Sequence, residues 1–344
     1  MIIRIWVYDG ILASGVSAPV DVFMAANHFA AKQQARSAAR DVQLTWRVES
    51  LDGLPIRTAS GQLIEVDGRI GARKPADAVI VTAPFVGELD SFIMHRDRLA
   101  ALSSALRHLH EKGSYIASYC TGAYLLAEAG LLDGRMATTH WSRADDFARR
   151  YPRVTLRAQE FLTEQDRIIC GGAVTSFLVL AMRLVELFLG SQLATITAKA
   201  MLIDTNRISQ MSYANLVLEH DHGDRLVAQA QQQMEAALAK EFRLSELAAR
   251  LAVSERTLHR RFLQAVGQPP LSYLQTLRIE VAKRLLETSD INFETVSQNV
   301  GYTDFGTFRD LFKRKTGLSP RDYRRQFTKV PVRPGAHQDA GGLG

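Results

Sequence analysis

Two periodicities divide this chain. Up to about residue 190, short apolar runs alternate with stretches in which apolar residues recur every three to four positions. "IIRIWVY" (2–8), "LTWRVESL" (44–51), "ADAVIVTA" (76–83), "SYIASY" (114–119) and "RIIC" (167–170) read as strands. "PVDVFMAANHFAAKQQA" (19–35), "RDRLAALSSALRHLHEKG" (96–113), "GAYLLAEAGLL" (122–132), "SRADDFARRY" (142–151) and "VTSFLVLAMRLVELFLG" (174–190) read as helices. Such alternation predicts an α/β, flavodoxin-like domain over residues 1–190, a parallel sheet covered on both faces. Open sheets of this kind bind ligands beyond the carboxyl ends of their strands.

Past residue 190 the strand pattern stops. Residues 191–222 are mixed and polar, and read as a linker with some helix. Residues 223–327 carry only helical periodicity, and predict an all-α domain. The Gly- and Pro-rich tail 328–344 is expected to be disordered.

The all-α region repeats itself. Leu258 and Phe308, Phe262 and Phe312, Gly267 and Gly317, Pro270 and Pro320, and Tyr273 and Tyr323 are each 50 apart. Before the turn the offset is 49, as for Val253 and Tyr302, so the second copy holds one extra residue near its turn. Each copy reads as helix, tight turn, helix, at about 244–264 and 292–315. Ser254 caps the second helix of the first copy, and Thr303 or Asp304 that of the second. Leu258 with Phe262, and Phe308 with Phe312, form inward stripes. Arg256, Thr257, His259, Arg260 and Arg261 are left off the first stripe. Arg309, Lys313, Arg314 and Lys315 are expected to face out in the second copy. Short helices with outward basic and polar side chains suit the major groove, where Arg reads guanine edges and cations neutralise phosphate. A helix over 271–287 bridges the copies. The bland alternative is a helical bundle with solvated faces; two units in register over some 50 residues speak against it.

Charge sharpens this division. The net charge is +6, and residues 240–327 hold 16 Lys and Arg against 10 Asp and Glu, while residues 1–239 hold 24 against 25. A basic module beside a neutral one suggests a polyanion partner for the small module, with a solvated basic surface as the bland alternative; the helix-turn-helix pattern makes that partner double-stranded DNA. The 344 residues, 47% hydrophobic and 23% charged, suit two folded domains. Two cysteines make no disulfide framework and suggest a reducing, cytoplasmic setting. No apolar run approaches a membrane span, and the start "MIIRIWVYDG" reads as a buried strand rather than a signal peptide. No cofactor or metal site is expected.

The candidate chemistry centres on "ASYCTGAYLLAEAG" (117–130), where an apolar strand ends at Cys120 and a helix begins at once. A nucleophile elbow has this form, and a helix N-terminus favours a thiolate. A hydrolase also needs a base within reach. Thr121 cannot serve as one, which leaves His140 and Asp21 as the nearest candidates by pattern. The alternatives are a packing cysteine, the natural reading of Cys170, and a pocket floor. Gly171 and Gly172 read as a tight turn, since no Lys or full Gly-rich fingerprint accompanies them.

Two resemblances follow from these residues. "SYCTGAYLLAEAGLLDGRMATTHW" (118–141), with "APVDVFMAAN" (18–27) and "IICGGAVTSF" (168–177), resembles the class I glutamine-amidotransferase-like superfamily, in its PfpI and isocyanide-hydratase-like branch. That resemblance implies a pocket at Asp21, Cys120, Thr121, Gly122, His140 and Gly172, with Cys120 paired to the acid Asp21. Peptidase members carry His after the cysteine, where this chain has Thr121. "VGYTDFGTFRDLFKRKTGLSPRDYRR" (300–325) resembles the AraC/XylS family of transcription regulators. It implies DNA contacts from Ser254, Arg256, Thr257, His259 and Arg260, and from Thr303, Asp304, Arg309 and Lys313. Asp310 departs from that family, whose residue there is often basic. Together the resemblances imply a DNA-binding activator, working with RNA polymerase, that is controlled by a small effector (an amine or amino-acid derivative) in its N-terminal domain, with a homodimer through that domain. The competing reading is an isocyanide-hydratase-like enzyme fused to a DNA-binding module. An architectural DNA-binding protein would leave the large N-terminal domain without a role.

Overall fold

Each of the five apolar runs of the first half becomes a strand. The computed structural model describes residues 1–34, 42–85, 87–205, 210 and 223–327. The chain divides into two units, Met1–Ala214 and Asn215–Gly344. In the first, the strands are β1 (Ile2–Val7), β2 (Thr45–Ser50), β3 (Ile56–Arg57), β4 (Leu63–Ile64), β5 (Gly68–Arg69), β6 (Ala78–Val81), β7 (Tyr115–Tyr119), β8 (Met136–Ala137), β9 (Thr155–Leu156), β10 (Leu162–Gln165) and β11 (Ile168–Gly171). The main sheet runs β10-β11-β7-β6-β1-β2-β5, parallel except where β10 meets β11. β2 lies on one side of β1 and β6 on the other, so the strand order reverses there. That is the switch point at which doubly wound sheets bind ligands. Central strands such as β6 are buried throughout, as sheets covered on both faces require.

The helices are α1 (Ser14–Gln34), α2 (Leu89–Met94), α3 (Arg96–Glu111), α4 (Gly122–Glu128), α5 (Ala144–Arg150), α6 (Ser176–Leu189) and α7 (Ser191–Ala200). α2 was not expected, and two others depart from expectation. α1 begins at Ser14 and carries Pro19 inside it, whereas the sequence suggested a start at Pro19. α7, expected in the linker, packs on α1 and α6. Its Ala194, Thr197 and Ala198 are buried, so burial of this face holds the segment on the N-terminal unit. Beyond residue 205 the expected linker, apart from Gln210, lies outside the described residues, as does the tail 328–344.

The second unit contains α8 (Arg225–Ala236), α9 (Leu244–Arg250), α10 (Glu255–Val266), α11 (Pro270–Thr288), α12 (Phe293–Asn299), α13 (Phe305–Thr316) and α14 (Pro320–Phe327). Leu258 and Phe262 enter one apolar cluster, and Phe308 and Phe312 another. α11 contributes Tyr273 and Leu274 to the first and Ile279 and Ala282 to the second. Ser254 accepts the Thr257 N–H at 3.2 Å, and Asp304 accepts the Gly306 and Thr307 N–H groups. The two helix caps are therefore 50 apart. The left-handed turn residues Ala252 and Gly301 are 49 apart. The additional residue thus falls between turn and cap, at Tyr302–Thr303. α10 and α13 end alike, on left-handed Gly267 and Gly317.

Candidate functional site

Cys120 stands where the sequence put it, between β7 and α4. It is a non-glycine residue in the left-handed region, φ 54°, the strained backbone of a nucleophile elbow. Its N–H donates to Gly171 O at 2.9 Å, and its carbonyl accepts the Thr139 hydroxyl at 3.0 Å. A Cβ on Gly122 would lie 3.1 Å from Val81 O and 3.2 Å from Ser118 Cβ, so glycine lets α4 start close against the sheet.

The surroundings favour the neutral thiol. Cys120 is only 3% exposed. Burial outweighs the hydrogen bonds from Thr121 and pushes the thiol up to about 11. Desolvation thus opposes the helix dipole, which would favour a thiolate. The Thr121 side chain is buried and donates to Pro84 O. No hydrogen bond or ion pair joins Asp21 to Cys120. Asp21 is exposed on α1, whose buried stripe runs through Val16, Val22, Phe23, Ala26 and Ala30. The position of α1 that meets the end of β7 is Gly15, where a Cβ would collide with the Tyr119 hydroxyl. That close approach leaves no room for an acid. His140 is half-buried; its Nδ1 accepts the Ser142 N–H and caps a short turn, and burial lowers its pKa. Gly172 lies under the carboxamide of Gln210.

The thiol state has a measurable consequence. In a Cys170→Ala background, alkylation of Cys120 by iodoacetamide should keep rising toward pH 11 instead of levelling near pH 9, since only the thiolate attacks. A plateau at neutral pH would contradict a buried thiol.

A more open site lies at the switch point. A cavity of about 890 Å³ is lined by Asp9, Gly10 and Leu12 after β1, Arg57–Ser60 around the end of β3, and Phe85 and Glu88 after β6. Asp9 accepts the Arg57 N–H at 2.7 Å, and the Arg57 guanidinium donates to Gly61 O. Phe85 is half-exposed. This cavity lies beyond the strand ends, and none of the six expected pocket residues lines it. The turn pair Asp9-Gly10 was its one local signal in the sequence.

In the second unit Arg256, His259, Arg260, Arg309 and Lys313 are exposed. Other expected contacts build the helix starts. Thr257 bonds Ser254 at 2.9 Å, and Thr307 bonds Asp304 at 2.7 Å, which holds the Asp304 carboxyl below its usual range. Thr303 is exposed just before the cap. Arg261 is committed to Asp224, the cap of α8, through bonds of 2.9 and 2.6 Å. Lys315, expected to face out, is half-buried, and burial lowers its pKa. Among the described residues, no three His, Cys, Asp or Glu side chains are grouped to hold a metal, and no helix is long and apolar enough to cross a membrane.

Comparison with known proteins agrees with this division. Residues 3–187 match the DJ-1/PfpI family, and residues 247–326 match a helix-turn-helix domain. The chain is 30% identical over 281 residues to the HTH-type transcriptional regulator CdhR of Pseudomonas aeruginosa, covering 81% of each chain. It is 30% identical over 229 residues to the HTH-type transcriptional regulator ArgR of the same organism, covering 66% of this chain and 69% of the relative. A crystal structure of a transcriptional-regulator-like protein from Vibrio parahaemolyticus shares the N-terminal fold, with a TM-score of 0.51 at 18% identity over 58% of this chain and 98% of the other.

Proposed function

Given that this chain belongs to the DJ-1/PfpI family and is a DNA-binding transcriptional regulator of the AraC type, we propose that its N-terminal unit senses a small metabolite and sets the activity of the helix-turn-helix pair, as an activator working with RNA polymerase. The observation that carries the sensing role is the contrast within the N-terminal unit. The elbow cysteine is a buried thiol without a bonded acid or base, while the switch-point cavity is open and carries charged side chains on its wall. Its carboxylates Asp9 and Glu88, the aromatic face of Phe85 and the Arg57 guanidinium suit an amine or an amino-acid derivative. Thermal shift of the full chain with such compounds tests this, because a ligand of the folded state raises its melting temperature. Turnover of a model isocyanide that is lost in Cys120→Ser would replace sensing by catalysis.

The DNA side of the reading assigns base contacts to Arg256, His259 and Arg260 on α10 and to Arg309 on α13, with Lys313 on phosphate. Arg260→Ala is expected to weaken binding to the specific site by about 1–3 kcal/mol and to relax preference at one base pair. Titrations against specific and random duplexes check this; equal losses on both would make Arg260 a phosphate contact.

A further inference from the structure

Gln210 lies in the stretch read from sequence as the linker, near the end of the first unit, Met1–Ala214, and its side chain is fully buried there. Its Nε2 donates to Thr139 O at 2.8 Å and Ala158 O at 2.7 Å, with Thr138 Oγ1 at 3.3 Å. Its backbone N–H donates to Gln159 O at 3.1 Å. The floor is Gly172, where a Cβ would stand 2.6 Å from both Cδ and Nε2 of Gln210. Glycine here is what lets a flat group lie against the strand end. Thr139 also holds the Cys120 carbonyl, so the niche adjoins the elbow.

The chemistry of the niche is specific. The atoms that receive Nε2 are two carbonyl oxygens and one hydroxyl, all neutral. They match an uncharged –NH2 group. A carboxylate would meet only oxygen acceptors, and an ammonium would give up hydration without an anion in return. The present occupant is imperfect: Gln210 Oε1 is buried and accepts no hydrogen bond. An unpartnered buried carbonyl weakens the hold of its own side chain, which makes Gln210 displaceable.

We propose that this niche is a binding site for a primary carboxamide, and that Gln210 is its resident occupant, tethering that stretch of chain to the rest of the N-terminal unit. A competing primary amide takes the same two carbonyl acceptors and releases the tether. The regulatory consequence rests on the N-terminal unit being the controlling domain; the binding site does not.

The test uses the full chain. Gln210→Gly empties the niche, and propionamide reproduces the removed side chain. Propionamide should raise the melting temperature of Gln210→Gly but not that of the wild type, and N,N-dimethylpropionamide, which has no N–H, should raise neither. Equal effects of both amides on the variant, or none of propionamide, would overturn the site. Gly172→Ala keeps Gln210 but fills its floor. Hydrogen exchange at the Gln210 amide should then quicken by about tenfold or more; an unchanged rate would overturn the tether. A transcription reporter separates the two readings. If Gln210→Gly binds propionamide but keeps wild-type basal expression, the site stands and its control of the DNA-binding unit falls.

Discussion

Gly301→Ala is expected to disable the second helix-turn-helix unit while leaving the first intact. Gly301 has φ +81°, and an added Cβ would stand 2.7 Å from Ala239 O and 2.9 Å from the Arg278 guanidinium. The left-handed backbone alone costs a non-glycine residue about 1–2 kcal/mol. The collision is worse, because neither neighbour is free to yield. Arg278 donates to Leu238 O at 3.0 Å and Lys240 O at 2.7 Å, and its guanidinium lies 5.0 Å over the Tyr302 ring. Overpacking at such a site adds about 1–3 kcal/mol. The total, roughly 2–5 kcal/mol, falls on the joint between the bridging-helix Arg278 and the turn. Footprinting should show the groove segment under α13 exposed and that under α10 still protected. Loss of protection over both segments would mean that the two units unfold as one. The matching residue of the first copy, Ala252, is already non-glycine and exposed. Ala252→Gly relieves that residue's own left-handed strain, φ 54°, and should raise stability by up to about 1 kcal/mol after the added chain entropy of glycine.

Glu49→Ala is expected to be the most damaging single change in the N-terminal unit. Arg4 on β1 and Glu49 on β2 form an ion pair whose side chains are 1% and 0% exposed. Arg4 Nε donates to Glu49 Oε2 at 2.7 Å, and Arg4 Nη1 donates to Lys74 O at 3.2 Å. Removing the carboxylate leaves a guanidinium buried without its counter-charge, which costs about 3–5 kcal/mol. For a unit of this size that lowers the melting temperature by roughly 6–20 °C. The double variant Arg4→Met/Glu49→Leu removes both charges and should recover most of the loss. If it is no more stable than Glu49→Ala, the damage comes from lost packing and not from the orphaned charge.

The order of elements was legible from residues alone because it rests on short-range regularities. Alternating apolar runs and helical stripes mark β1, β2, β6, β7, β11 and most of the helices. Caps are equally local: Ser254 and Asn292 accept from N–H groups three residues on. The duplication was legible because each copy buries the same stripe, Leu258 and Phe262 or Phe308 and Phe312. The antiparallel edge strand β10 was missed. Its "LTEQ" has a half-buried, polar pattern and gains its partners only from β11.

What the sequence left open depends on which distant groups meet. Asp21 matched a family position, but the face of α1 that carries it is set by the buried stripe beside it, and that stripe turns Asp21 to solvent. Cys120 has the local grammar of a nucleophile; the burial that raises its thiol pKa comes from tertiary packing, which also brings it Gly171 and Thr139. Nothing near Gln210 in the sequence marks it, since its acceptors lie some fifty to seventy residues away. Elements follow from local backbone preference and apolar period, which a sequence states directly. Burial, charge state and docking follow from long-range packing, which exists only once the chain has folded.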